Sequence, residues 1–199
     1  MPFGCDDATI APASEDMCTV MRELTSASIV IPAYNEESTI ASVIEKVGNG
    51  LTRSGLQGEL IIVDDGSSDR TGEIAEEHAA RLAFVKVLHH RRRRGVTRAI
   101  DTAFRNCTGD YIVFLPADLE SDPEEDIPKL LGKLLDGYDV VVGRRRGRKG
   151  GKAVASWIYN SLCRTLFGTT LHDHNWIKAF KRELLRDMTL RSDWHRYLA

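Results

Sequence analysis

Little in this sequence points to disulfide or metal-thiolate chemistry. Its four cysteines (Cys5, Cys18, Cys107 and Cys163) lie far apart and form no Cys-x-x-Cys. That spacing excludes a disulfide framework or zinc module and implies a reducing compartment. Long apolar runs are also missing, with none near the ~20 residues needed to span a bilayer. The first residues lack a basic stretch followed by an apolar one, so a secretory leader is not expected. The expectation from these absences is a cytoplasmic protein. Net charge is scarce as well: 27 Lys+Arg against 29 Asp+Glu leave −2. Taken alone, that sum argues against a nucleic-acid or membrane partner.

What is present corrects the sum. The 199 residues are 42% hydrophobic and 28% charged, as expected of one globular domain with a real core. The charges are sorted into blocks. Arg91, Arg92, Arg93 and Arg94 run together, and six basic residues fall within Arg144–Lys152. Six acids and no base fill Asp118–Asp126. Blocks of this kind mark sites rather than a mixed solvated surface. Residues 1–26 carry five acids against Arg22, a net −4, with no sustained period, and read as a disordered acidic tail. Residues 27–199 read as a single domain.

Within that domain, short apolar runs alternate with amphipathic stretches. Strands are expected at Ala27–Ala33, Glu59–Val63, Ala83–Leu88, Asp110–Leu115 and Tyr138–Val142. Helices are expected over about Glu36–Arg53, Asp69–Arg81, Gly95–Asn106 and Pro123–Leu135. This is the pattern of an α/β fold with a mostly parallel sheet flanked by helices. Ligands of open α/β sheets collect beyond the carboxyl ends of the strands, and here those ends are polar.

The first strand runs into Pro32-Ala33-Tyr34-Asn35-Glu36-Glu37. Asn35 is expected to cap the following helix, and the two glutamates suit its positive end. Tyr34 remains as an aromatic at the mouth where a base can stack. The second strand ends in Asp64-Asp65-Gly66-Ser67-Ser68-Asp69. Ser68 or Asp69 serves as the next cap. The adjacent carboxylates Asp64 and Asp65 repel each other and call for compensation, such as the hydroxyls or base N–H groups of a nucleoside. After the fourth strand, Asp122, Pro123 and Glu125 suit an N-cap, a first helical proline and a capping box. Asp118 and Glu120 are left over, two carboxylates suited to a hard divalent cation that also binds phosphate. The glycine-spaced arginines after the fifth strand match a diphosphate. A nucleic-acid partner is the weaker alternative, because no aromatic interleaves them. Arg91–Arg94, with His89 and His90, follow the third strand toward the same crevice. Near the carboxyl terminus, His172 and His174 flank Asp173. Alternation in an extended segment would part the two histidines, so a loop with Asp173 as its acid is preferred to a metal site.

In order, PAYNEE, VDDGSSD, GDYIVFLPADLE, DVVVGRRR and LHDHNWIKAFKRELL resemble family-2 glycosyltransferases of the GT-A fold. The likeness is to the branch that makes dolichyl- or polyprenyl-phosphate sugars, and it spans about Ser28 to Leu198. The resemblance implies a metal-dependent, inverting transfer of a sugar from a UDP- or GDP-sugar to a polyprenyl or dolichyl phosphate. It implies peripheral contact with the cytoplasmic membrane face and no nucleic acid. By the same resemblance, Pro32, Tyr34, Glu36, Asp64 and Asp65 hold the nucleoside. Asp118 and Glu120 hold Mg²⁺ or Mn²⁺ with the diphosphate, and Arg145, Lys152 and Ser156 meet phosphates. The terminal D-W-H-R-Y-L matches the segment that closes the catalytic region, bringing in His195 and Arg196. Asp173 and Asp193 are the candidate bases for a hydroxyl acceptor.

Three departures from the family pattern stand out. Pro116 replaces the first acid of the metal motif, Arg93-Arg94-Gly95 replaces an Asn-x-Gly, and many relatives continue beyond the H-R segment into membrane-associated helices. The first and third motivate two further expectations, a non-catalytic nucleotide-sugar-binding relative and a catalytic domain cut short at its carboxyl end.

Overall fold

The structure is a computed structural model that describes residues 25–143 and 177–186. Its six-stranded sheet has the order β3-β2-β1-β4-β6-β5. The strands are β1 (Ser26–Ala33), β2 (Gln57–Asp64), β3 (Val85–His89), β4 (Tyr111–Phe114), β5 (Val140–Val142) and β6 (Lys178–Lys181). The helices are α1 (Ile40–Ser54), α2 (Thr71–Ala79), α3 (Val96–Phe104) and α4 (Pro123–Leu135), and a 3₁₀ turn covers Arg182–Arg186. The expected α/β class and mostly parallel sheet are observed.

β1 lies between β2 and β4, parallel to both. A strand covered on both faces needs apolar side chains on both, and Ile29, Val30 and Ile31 are fully buried. Ile29 and Ile31 face α1, α2 and α4, alongside Leu60, Ile62 and Leu131. Val30 faces α3 with Ile61, Val63, Ile100 and Phe180. Phe180 meets Phe104 edge-on, with ring centroids 5.6 Å apart. At the amino end of the sheet, Glu59 accepts bonds from the Ser28 hydroxyl (2.6 Å) and from the amide and hydroxyl of Thr108 (2.7 and 2.8 Å). The buried Ser28 in turn accepts the Gly109 amide, so the polar groups at that end are satisfied.

The structure departs from the expected elements in three places. α1 begins at Ile40 rather than near Glu36, because Asn35 adopts φ 56° and the chain turns there instead of entering the helix. Asp122 does sit at the N-cap of α4 with Pro123 at the first helical position, but its side chain makes no capping bond. It pairs with Lys46 at 2.9 Å. Asp126 rather than Glu125 reaches back to the Asp122 amide, while Glu125 pairs with Arg53 and Lys129. Finally, Lys178–Lys181 forms an unexpected strand, β6, antiparallel between β4 and β5.

Candidate functional site

The chain leaves β1 toward β2 on one side and returns from β3 to β4 on the other. The strand order therefore reverses between β1 and β4, and their carboxyl ends flank the crevice where an α/β sheet takes its ligands. The segments around Tyr34 and Asp118 follow these two ends.

The loops after β1 and β2 are stapled together. Asn35 donates its amide to the Ser67 hydroxyl at 3.0 Å, and its side-chain oxygen accepts from the Ser68 amide at 2.9 Å. Asn35 is thus a cross-loop tie and not the helix cap expected from its position. The Glu36 amide donates to the Thr71 hydroxyl at 2.7 Å, and the Glu37 amide to Asp69 at 3.1 Å. Asp69 also accepts the Thr71 amide at 3.0 Å, but the N-cap of α2 is Arg70, not Ser68 or Asp69 as expected, because Asp69 is turned toward the β1 loop. Burial opposes ionisation of Asp69, but these bonds outweigh it and hold the carboxyl below its usual range.

Asp64 and Asp65 follow one another in extended chain, so they point to opposite faces of the sheet. Both are buried, at 7% and 3% exposure, and their compensation lies within the protein. On the α2 face, Asp64 accepts the Ser67 amide at 3.0 Å and meets His89 Nδ1 at 3.0 Å. His89 Nε2 lies 2.9 Å from Glu76 of α2. Carboxylates only accept, so a ring between two of them bonds both when both nitrogens carry protons. Burial works against that charge, yet the bonds to Glu76 and Asp64 and their negative charges prevail, raising the His89 pKa above its ordinary value.

On the α3 face, Asp65 Oδ1 meets His90 Nδ1 at 2.6 Å and accepts the Arg94 amide at 2.9 Å. Its Oδ2 accepts the Gly95 amide at 2.7 Å. The Arg91–Arg94 loop is thereby drawn against the end of β2. Gly66 permits the approach: its φ is +72°, and a Cβ there would lie 2.6 Å from the Arg92 carbonyl carbon. The loop places the Arg93 guanidinium 4.2 Å from the centroid of the Tyr34 ring. One face of the expected base-stacking aromatic thus carries a cation.

After β4, Asp118 and Glu120 stand exposed on a turn in which Leu119 has φ 55°. Asp118 Oδ1 accepts the Glu120 amide at 3.0 Å. Among the described residues no group of three His, Cys, Asp or Glu side chains forms a metal cage. Two exposed carboxylates of hard-oxygen chemistry nonetheless fit a cation that takes the rest of its shell from a diphosphate.

β5 and β6 bring Val142 and Lys178 level with Phe114 of β4, so the chain passes Gly143, before the arginine cluster, at this same end. Arg145, Lys152, Ser156, Asp173, Asp193, His195 and Arg196 lie outside the described residues, as does the acidic tail through residue 24. Sequence reasoning missed Lys178, a buried cation at this end of the sheet; the available signal was a lysine inside an apolar run. A cleft of about 620 Å³ lies at the opposite, amino end of the sheet, lined by Phe104, Cys107, Tyr111, Lys181, Arg182 and Arg186 among others. Burial pushes the Cys107 thiol there up to about 11, which leaves it unreactive near neutral pH.

Residues 28–192 match the family profile described as Glycosyl transferase family 2. The chain is 33% identical over 175 residues to an undecaprenyl-phosphate 4-deoxy-4-formamido-L-arabinose transferase of Proteus mirabilis, covering 85% of this chain and 53% of that protein. It is 30% identical over 177 residues to a dodecaprenyl-phosphate galacturonate synthase of Rhizobium johnstonii, covering 86% and 52%. The chain therefore spans about half the length of these curated relatives. Among solved structures, glucosyl-3-phosphoglycerate synthase of Mycobacterium tuberculosis in complex with UDP superposes with a TM-score of 0.66 at 28% identity, over 88% of this chain and 64% of that one. Mannosyl-3-phosphoglycerate synthase of Rubrobacter xylanophilus, at 21% identity and a TM-score of 0.68 over 86% and 58%, shares the fold.

Proposed function

The chain belongs to glycosyl transferase family 2, with the GT-A fold, and from that premise we propose that it transfers a sugar from UDP to the phosphate of a polyprenyl phosphate. The observation that carries this reading is the convergence of the Tyr34–Glu37, Asp64–Asp65 and Asp118–Glu120 segments at the carboxyl ends of β1, β2 and β4. A nucleoside and a cation-bound diphosphate are what that switch point suits. UDP is favoured over GDP because the M. tuberculosis relative was solved with UDP. A polyprenyl phosphate is favoured because the curated relatives are named for such acceptors.

In this reading Pro32, Tyr34 and Glu36 border the nucleoside, and Asp64 and Asp65 shape its floor. Asp118 and Glu120 would hold Mg²⁺ or Mn²⁺, which when bound neutralises charge on the diphosphate as it leaves. Arg145, Lys152 and Ser156 are assigned to phosphates, and His195 and Arg196 to closure of the donor side. An acceptor phosphate oxygen forms a bond to the anomeric carbon while the bond to the departing UDP breaks, so the configuration inverts. The acceptor is already anionic and gives up no proton, so Asp173 and Asp193 would serve as bases only toward a hydroxyl acceptor. Among the described residues no helix is long and apolar enough to cross a membrane; contact with the lipid acceptor is assigned to the cytoplasmic membrane surface.

The test is incubation with labelled UDP-glucose or GDP-mannose, Mn²⁺ and undecaprenyl phosphate, followed by solvent extraction. Label is expected in the lipid phase. Nucleotide binding with all label left in water would instead support a non-catalytic binder, the reading that Pro116 favours.

A further inference from the structure

His90 is buried just beyond β3, and both of its ring nitrogens are engaged. Nδ1 lies 2.6 Å from Asp65 Oδ1, and Nε2 lies 2.9 Å from the Thr102 hydroxyl of α3. A carboxylate oxygen can only accept, so Nδ1 is the donor in that contact, and the Thr102 hydroxyl completes the other side of the ring. Two bonds on opposite edges fix the ring plane. The same carboxylate accepts the amides of Arg94 and Gly95. A chain of contacts thus runs from Thr102 through His90 and Asp65 to the backbone of the arginine loop.

We propose that His90 is a positioning residue for the nucleotide donor, acting with Thr102 through Asp65 to hold the Arg91–Arg94 loop against the nucleoside end of the site. This rests on the donor reading above. The loop needs such an anchor because it carries four exposed cations in succession, which repel one another. Its placement is close: a Cβ at Gly66 would collide with the backbone of Arg92 and Arg93. Its consequence is visible at Tyr34, where Arg93 stands over the ring. The carboxylates at this end of the sheet would repel a diphosphate, and a fixed guanidinium beside them offsets that repulsion. Freed from Asp65, the loop keeps its charge but loses its position, and the donor then bears the cost of ordering it.

The test uses the full chain and measures binding of UDP and, separately, GDP in the presence of Mn²⁺, together with thermal unfolding. His90→Ala should weaken nucleotide binding roughly ten-fold, the order lost when a group that orients a ligand-binding residue is removed. Thr102→Val, which leaves the Asp65 contact but frees the ring, should fall between. His90→Asn can still present an N–H to Asp65 and should recover most of the affinity, although it loses the Thr102 bond as His90→Ala does. A role confined to folding would lower the unfolding temperature of both His90 variants alike and leave the affinity of the folded protein unchanged; that result would overturn the inference. Equal loss of affinity in His90→Asn and His90→Ala would overturn it too. Failure of the unaltered chain to bind either nucleotide would overturn the donor reading itself, and this inference with it.

Discussion

His89 and His90 adjoin in sequence, yet the chain at the end of β3 sends them to opposite faces and into different chemistry. His90 has one carboxylate and one hydroxyl as partners, whereas His89 lies between two carboxylates. For His89 this makes stability depend on pH. A histidine whose folded pKa is raised contributes stability that is fully present below its unfolded value of about 6.5 and is lost as pH rises through the folded value. The unfolding temperature should therefore fall between about pH 6.5 and the raised folded value more in the native chain than in His89→Gln, which cannot titrate. Thermal unfolding followed by circular dichroism across pH 5.5–8.5 measures this, and identical pH profiles would contradict it. None of this was legible from the pair of letters HH. The adjacent Asp64 and Asp65 were legible as a problem of charge, but apart from the Ser67 amide their partners His89, His90, Arg94 and Gly95 come from β3 and the loop before α3, well separated in sequence.

At the scale of elements, α1 and α4 cross at a glycine. Gly50 is buried in α1, and a Cβ there would lie 2.6 Å from the Pro123 carbonyl oxygen and 3.1 Å from Ile127 Cδ1. Replacing a helical glycine by alanine ordinarily stabilises by about 1 kcal/mol. At Gly50 the collision with backbone should reverse that sign and cost about 1–3 kcal/mol. Gly132 of α4 has nothing within 4 Å of its virtual Cβ, so Gly132→Ala should show the ordinary gain of about 1 kcal/mol. Urea unfolding of the two variants compares them directly. Helical period marked both helices in the sequence, and α4 begins and ends where expected. The start of α1 was misjudged because Asn35 satisfies the opposite loop instead of the helix. β6 escaped because Lys178-Ala179-Phe180-Lys181 shows no apolar alternation.

For the molecule as a whole, the proposed donor site and the stability of the fold should be linked. Any ligand that binds only the folded chain stabilises it, by about 2.7 kcal/mol at a hundred times its dissociation constant. UDP with Mn²⁺ should therefore raise the unfolding temperature, and a chelator should remove most of the rise. Asp118→Asn should lose the manganese-dependent part while unfolding normally without ligand, since Asp118 is exposed and its contact with Glu120 is local. An undiminished response to manganese in that variant would place the cation elsewhere. The alternation of apolar and amphipathic segments, the polar strand ends and the order of five motifs all belong to the sequence alone, because side-chain period and turn chemistry are local properties. The tertiary structure decided the insertion of an antiparallel strand, the separation of Asp64 from Asp65 onto two faces, and the loop that brings Arg93 to Tyr34. Each of these depends on contacts between segments distant in the chain, and only the folded sheet brings their hydrogen-bond donors and acceptors within reach of one another.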